Sequence, residues 1–137
     1  MKESAMWSRL KVHLPGSFDK FSDRWKIGVP DVIGCVPGRG VAFELKQSDI
    51  RTGIRVSYRP GQVRWLRYWK NYGGVALTVV SVGLEIWVFD IRFAEDLEEG
   101  RDFKWAREKS IKTSREWKEI ADSIISHRPL RSQRMVD

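Results

Sequence analysis

The sequence is poor in the residues that build covalent or zinc-held scaffolds. It contains one cysteine, Cys35, and two histidines, His13 and His127. A single cysteine rules out a disulfide within the chain and points by default to a reducing, intracellular compartment. Neither histidine stands near a partner motif, which argues against a zinc site and against a histidine-based catalytic centre. Long apolar runs are lacking too. The most apolar segment, Val75 to Phe89, is broken by Thr78, Ser81, Gly83 and Glu85. No membrane span is expected, no apolar leader opens the sequence, and the chain reads as cytoplasmic. Repeats and low-complexity tracts are absent.

What is present is enough for one core. The 137 residues are 42% hydrophobic and include 7 Trp and 6 Phe, which predicts one compact domain over 1–137. Lys and Arg number 25 against 18 Asp and Glu, a formal net charge of +7. That excess favours a polyanionic partner, because basic side chains release counterions from a phosphate backbone. Cys35, inside the apolar run Val32 to Val36, reads as a buried structural residue.

Helical spacing of Ala5, Met6, Leu10 and Leu14 predicts a helix over Lys2 to Leu14, stopped by Pro15-Gly16. Phe18 to Lys26, with Phe18, Phe21 and Trp25, fits a strand or an irregular loop. Asp31 to Val36 and Val41 to Gln47 read as strands of a hairpin turned at Pro37-Gly38-Arg39-Gly40, with Arg39 solvated. Ser48 to Tyr58 reads as a flexible basic loop. A helix follows from Pro60-Gly61 to Tyr72, ended by Gly73-Gly74. Val75 to Val82 and Leu84 to Phe89 read as strands, Arg92 to Leu97 as a short helix or turn, and Glu98 to Phe103 as a charged connector. Lys109 to Ser126 reads as one amphipathic helix, and Arg128 to Asp137 as a mobile basic tail. The expected fold is α/β, a central mixed β-sheet flanked by helices, with a core over about 3–90 and a helical extension over about 91–127.

The chemistry lies in the hairpin. Side chains alternate along a strand, so Ala42, Glu44 and Lys46 share one face while Val41, Phe43 and Leu45 share the other. An apolar strand thus carries an acid and a base on one side, and charges buried there must be paired, wet or metal-bound. Asp31, at the head of the preceding strand, can bring a second carboxylate to the same place. Two carboxylates suit an oxygen-liganded Mg²⁺ or Mn²⁺, and an adjacent ammonium suits a phosphoryl group whose charge grows during hydrolysis.

Gly28-Val29-Pro30-Asp31 followed by Glu44-Leu45-Lys46 resembles the signature of the PD-(D/E)xK nucleases. Gln62 near the start of the next helix makes the VRR-NUC branch the best match, a branch related to archaeal-type Holliday-junction resolvases and phage endonucleases. The resemblance spans about residues 3 to 80; beyond Asp90 nothing matches. It implies a restriction-endonuclease-like core and a metal-dependent endodeoxyribonuclease using Mg²⁺ or Mn²⁺. Asp31, Glu44 and the Leu45 carbonyl would bind the metal, with Glu3 binding it directly or through water. Lys46 would orient the attacking water, and Gln62 would position Lys46 or the phosphate. A homodimer acting on branched DNA, such as a Holliday junction, is the further implication. Nicking, flap-cutting or restriction-like activity, and a DNA-binding module without catalysis, remain the alternatives, and the stand-alone format suggests a phage setting.

Arg51, Arg55, Tyr58 and Arg59 follow the Glu-x-Lys strand and are expected to contact DNA, with Arg64, Arg67 and Lys70 extending that surface on the next helix. Trp65, Trp69, Trp87 and Trp117 fall on apolar faces and read as core or dimer contacts.

Overall fold

The computed structural model describes residues 1–21 and 28–128. In chain order it contains α1 (Glu3–Leu10), continued by a 3₁₀ turn over Lys11–His13, then β1 (Asp19–Lys20), β2 (Val32–Val36), β3 (Arg39–Gln47) and β4 (Gly53–Ile54). Next come α2 (Gln62–Asn71), β5 (Val75–Val82), β6 (Glu85–Asp90), a 3₁₀ turn over Ile91–Phe93 and α3 (Ala94–Glu99). The chain closes with β7 (Arg101–Asp102), α4 (Phe103–Lys109), β8 (Lys112–Ser114) and α5 (Trp117–Ser126). Trp25, part of the ambiguous segment, and the tail beyond Arg128 lie outside the described residues.

Among the described residues the main sheet runs β1-β2-β3-β5-β6-β8. Every pair is antiparallel except β3 and β5, which run parallel in the register Ala42↔Ala76, Glu44↔Thr78 and Lys46↔Val80. Parallel neighbours need a crossover, and the chain makes it through β4 and α2. This mixed α/β arrangement is the one expected.

Strand alternation sorts the core. Val41, Phe43 and Leu45 face α1 and α5 and pack with Met6, Leu10, Ile120 and Ile124. On the opposite face Ala42 and Ala76 pack beneath α2 through Leu66, Ile91 and Ala94. A further cluster joins Ile54 and Val56 to Val80, Trp87, Phe89, Leu97 and Ala106. Trp87 and Phe89 are fully buried, and side chains of that size each bring roughly 2–3 kcal/mol of apolar burial.

Three expectations need correcting. The segment after β3 is an ordered arm. Ile54 and Val56 alternate with Arg55 and Ser57, so the apolar pair is buried and β4 pairs with β7. The Ser48 hydroxyl donates to the Ile50 carbonyl at 2.8 Å and accepts the Arg55 N–H at 3.2 Å, tying the arm down further. Lys109 to Ser126 is not one helix. Alternation from Ile111 to Ser114 supplies β8, which extends the sheet at β6, and the helix starts only at Trp117. The residues after Asp90 therefore complete the sheet and its covering layer. Finally, Cys35 is exposed. Alternation along β2 sends the Val32 and Val36 side chains to the buried face and Cys35 to the more open one.

Arg39 also differs from expectation. Its guanidinium donates to the Ile125 and His127 carbonyls and so caps the C-terminal end of α5 with a cation. Trp87 is a core residue, while Trp65, Trp69 and Trp117 are partly buried against the core: Trp65 stacks on Trp69 at 5.1 Å, and Trp69 covers Gly40 and Gly74, where a Cβ would stand 2.6 and 2.3 Å from the indole.

Candidate active site

The site forms where β3 emerges beside the start of α2. Gly28 makes the approach possible. Its φ is +88°, and a Cβ there would stand 2.7 Å from the backbone of Gly61, which precedes α2 with φ +85°. The Gly28-Val29-Pro30-Asp31 strap is thus laid against the helix start. Gly28→Ala is expected to cost about 2 kcal/mol or more of stability, because backbone meets backbone and neither can rotate away. Thermal unfolding measures it; an unchanged midpoint would contradict the close approach.

Asp31, Glu44 and Lys46 are all buried, Glu44 completely. Glu44 Oε1 accepts the Asp31 N–H at 2.8 Å, and Asp31 Oδ2 accepts the Leu45 N–H at 2.9 Å. These reciprocal bonds lock the two carboxylates together. Glu44 Oε2 accepts from Gln62 Nε2 at 2.6 Å and lies 3.9 Å from Lys46 Nζ. Gln62, also fully buried, in turn accepts the Arg59 N–H at 2.8 Å. Gln62 therefore fixes Glu44 and does not touch Lys46. Lys46 Nζ is 5.7 Å from the centre of the Tyr58 ring, a cation–π contact.

The electrostatics match this geometry. Burial first, and the like charge of Asp31 second, raise the Glu44 carboxyl well above the ordinary carboxylate range, against the pull of Lys46. Glu3, in the first turn of α1, is also raised, by partial burial and then by Asp31. The first helix therefore brings its one acid, exposed at the surface, close enough to feel Asp31. Among the described residues no group of three or more His, Cys, Asp or Glu is gathered for a metal. The oxygen donors are two carboxylates and a peptide edge. Pairing of β2 with β3 ends at Val32↔Phe43, and Leu45 turns its N–H to that side, so its carbonyl shares the open edge. Among the described residues, Asp31 Oδ1 meets Arg59 alone, at 3.5 Å. A hard cation that takes one or two carboxylates and completes its shell with water and phosphate fits such a donor set.

The expected DNA-contacting residues divide. Arg59 is exposed and flanks Asp31, and Arg64 lies on the same rim, stacked over Tyr68 at 5.4 Å. Arg51 and Arg55 are exposed on the ordered arm. Arg67 is engaged by Glu95. Tyr58 is turned inward: its hydroxyl shares a 2.7 Å hydrogen bond with buried Thr78, and burial raises its phenol beyond the ordinary range. Its place is beneath Lys46, with no hydroxyl free for a phosphate. Sequence reasoning missed Thr78, a polar residue in an apolar strand and the register partner of Glu44, and that anomaly was its signal.

The fold is restriction-endonuclease-like. A similar solved structure is that of Hjc from Archaeoglobus fulgidus, a Holliday junction resolvase from an archaeal hyperthermophile, with a TM-score of 0.56 and 16% identity over 87% of this chain and 96% of that one. The sequence matches no protein-family model. No curated protein matches it. No helix among the described residues is long and apolar enough to cross a membrane.

Proposed function

We propose that the protein is a metal-dependent endodeoxyribonuclease of the PD-(D/E)xK type, in its VRR-NUC branch, selective for branched DNA. The observation that carries this reading is the buried Asp31–Glu44 pair with the Lys46 ammonium beside it. Two like charges locked together are costly unless a cation joins them, and a fold has no need of such a pair for its own sake.

Asp31, Glu44 and the Leu45 carbonyl would hold Mg²⁺ or Mn²⁺, with Glu3 close by. Such an ion supplies Lewis-acid stabilisation of the phosphate and a more acidic water. Lys46 holds its ammonium where the attacking water and a phosphoryl oxygen must sit, and compensates charge that grows in the transition state. Gln62 keeps Glu44 in one rotamer. Arg59, long and largely exposed, exchanges Asp31 for a phosphate when DNA binds. Arg51, Arg55 and Arg64 add backbone contacts that read shape and not sequence.

Gln62→Met keeps the length of the side chain but takes a donor from Glu44 and an acceptor from the Arg59 N–H. A loss of about 10–100-fold in Mn²⁺ affinity is expected by calorimetry, as for other residues that orient a metal ligand. Equal affinity would remove Gln62 from the site.

The preference for branched DNA rests on the small size, the basic surface and the likeness to a resolvase. A symmetric junction offers two equivalent strands, so a C2 dimer is the fitting assembly. The test is cleavage of junction, flap, nicked and linear duplexes with Mg²⁺ or Mn²⁺, alongside sedimentation of the free protein. Preferential, paired cuts on the junction support the reading. Equal cutting of linear duplex would make it a general nicking or restriction-like nuclease, and binding without cleavage under any metal would leave a DNA-binding module.

A further inference from the structure

A second cavity, of about 160 Å³, opens at the far end of α2. Lys70, Arg92, Lys109 and Arg128 line it together with His127, and Asp90 is the one carboxylate in the lining. It stands apart from the Asp31–Glu44 centre. Eight residues of α2 separate Lys70 from Gln62, a rise of about 12 Å.

Asp90 does not neutralise this cluster by itself. Its Oδ1 is 2.6 Å from Lys70 Nζ and accepts the Arg92 N–H at 2.9 Å, so the pair Lys70–Asp90 is closed. Burial opposes its ionised form, but His127, Lys70 and the Arg92 N–H outweigh that and hold the carboxyl down at about 2. Arg92, Lys109 and Arg128 are then left with no carboxylate within ion-pair distance among the described residues. His127 Nε2 is buried 3.5 Å from Asp90 Oδ2, a long contact with the same carboxylate that Lys70 already holds. Arg39 adds another guanidinium nearby, its own ionisation disfavoured by burial and by Arg128. Three cations without a carboxylate partner among the described residues, beside an imidazole and around a space that takes several waters or one tetrahedral oxyanion, call for a multivalent anion.

We propose that this cavity binds a phosphate group through Arg92, Lys109, Arg128 and His127. The phosphate is either one in a DNA backbone or a free phosphate. In the first case the inference rests on the nuclease reading and extends it, adding a backbone contact away from the Asp31–Glu44 centre. The site would then grip the duplex away from the bond being cut, setting register without touching the chemistry. In the second case it stands without that reading.

The test uses the full chain, the double variant Arg92→Glu/Lys109→Glu, and the milder Lys109→Ala. The first two positions are exposed and lie outside the candidate active site, so the variant is expected to unfold at the wild-type temperature in phosphate-free buffer. Inorganic phosphate should move the His127 ring resonances of the wild type and leave those of the double variant in place. If DNA is the source, the double variant also binds duplex about tenfold more weakly, with a salt slope shallower by about 1, while its cleavage rate at saturating DNA is unchanged. Loss of the phosphate response with unaltered DNA affinity assigns the site to free phosphate. Identical responses of wild type and both variants, to phosphate and to DNA alike, overturn the proposal. A wild type that takes phosphate here but neither binds nor cuts DNA would sink the nuclease reading and leave this site standing.

Discussion

Lys46→Met will lower the rate of metal-dependent cleavage on the order of 10²–10³-fold while leaving DNA affinity within a few-fold of the wild type. The asymmetry follows from where Lys46 sits. It is almost wholly buried, so it adds little to the long-range field that gathers DNA. Its ammonium faces Glu44 at 3.9 Å on one side and the Tyr58 ring on the other, which leaves the reacting phosphate as its remaining target. Methionine fills the same space against Tyr58 and removes only the charge. Stability should hold or rise, since a buried cation is replaced by an apolar chain of similar length. Single-turnover rates on the best DNA substrate, with a binding isotherm in Ca²⁺, separate the two effects. A rate within tenfold of the wild type would remove Lys46 from the chemistry, and a parallel collapse in DNA affinity would recast it as a binding residue.

The parts of this site that were legible in the sequence are those fixed by local periodicity. A period of two places Ala42, Glu44 and Lys46 on one face whatever else the chain does, and the structure keeps them there, opposite Ala76, Thr78 and Val80. The hairpin from Val32 to Gln47 was readable for the same reason, its turn marked by Pro37 and Gly38. What failed depended on partners distant in the chain. Tyr58 looked like a loop residue because its hydroxyl partner, Thr78, lies twenty positions away. Ile111 to Ser114 joined a helical pattern until β6 offered an edge for β8. Cys35 looked buried because its neighbours are apolar, but it alternates with the buried Val36 and takes the more open face of β2. Gln62 was expected to position Lys46 or the phosphate, and its bond to Glu44 is a matter of rotamer, on which spacing is silent.

In chelator, the protein will lose stability as the pH rises from about 4.5, and Mg²⁺ will restore it most strongly at the alkaline end. Glu44 sets the sign. Its carboxyl is raised in the folded chain above the 4.5 of the unfolded one, by burial and by Asp31. Between those two values the folded state holds a proton that the unfolded state has released, so stability is full below 4.5 and drains as pH climbs. Glu3, also raised, pushes the same way. Asp90 acts oppositely, but its contribution is present above 3.8 and is lost only as pH falls toward 2, outside the window that matters. The loss deepens with each pH unit crossed in this regime. A divalent ion held by Asp31 and Glu44 would compete with that proton, so its affinity would grow as the proton leaves, and at a hundred times its dissociation constant it would add about 2.7 kcal/mol. Unfolding midpoints at about pH 5 and about pH 8.5, with EDTA and with Mg²⁺, should therefore diverge in chelator and converge in metal. Glu44→Ala should flatten both profiles. A midpoint in EDTA that does not fall with pH, or a Mg²⁺ effect equal at both ends, would mean that Asp31 and Glu44 are an ordinary buried pair and not a cation site.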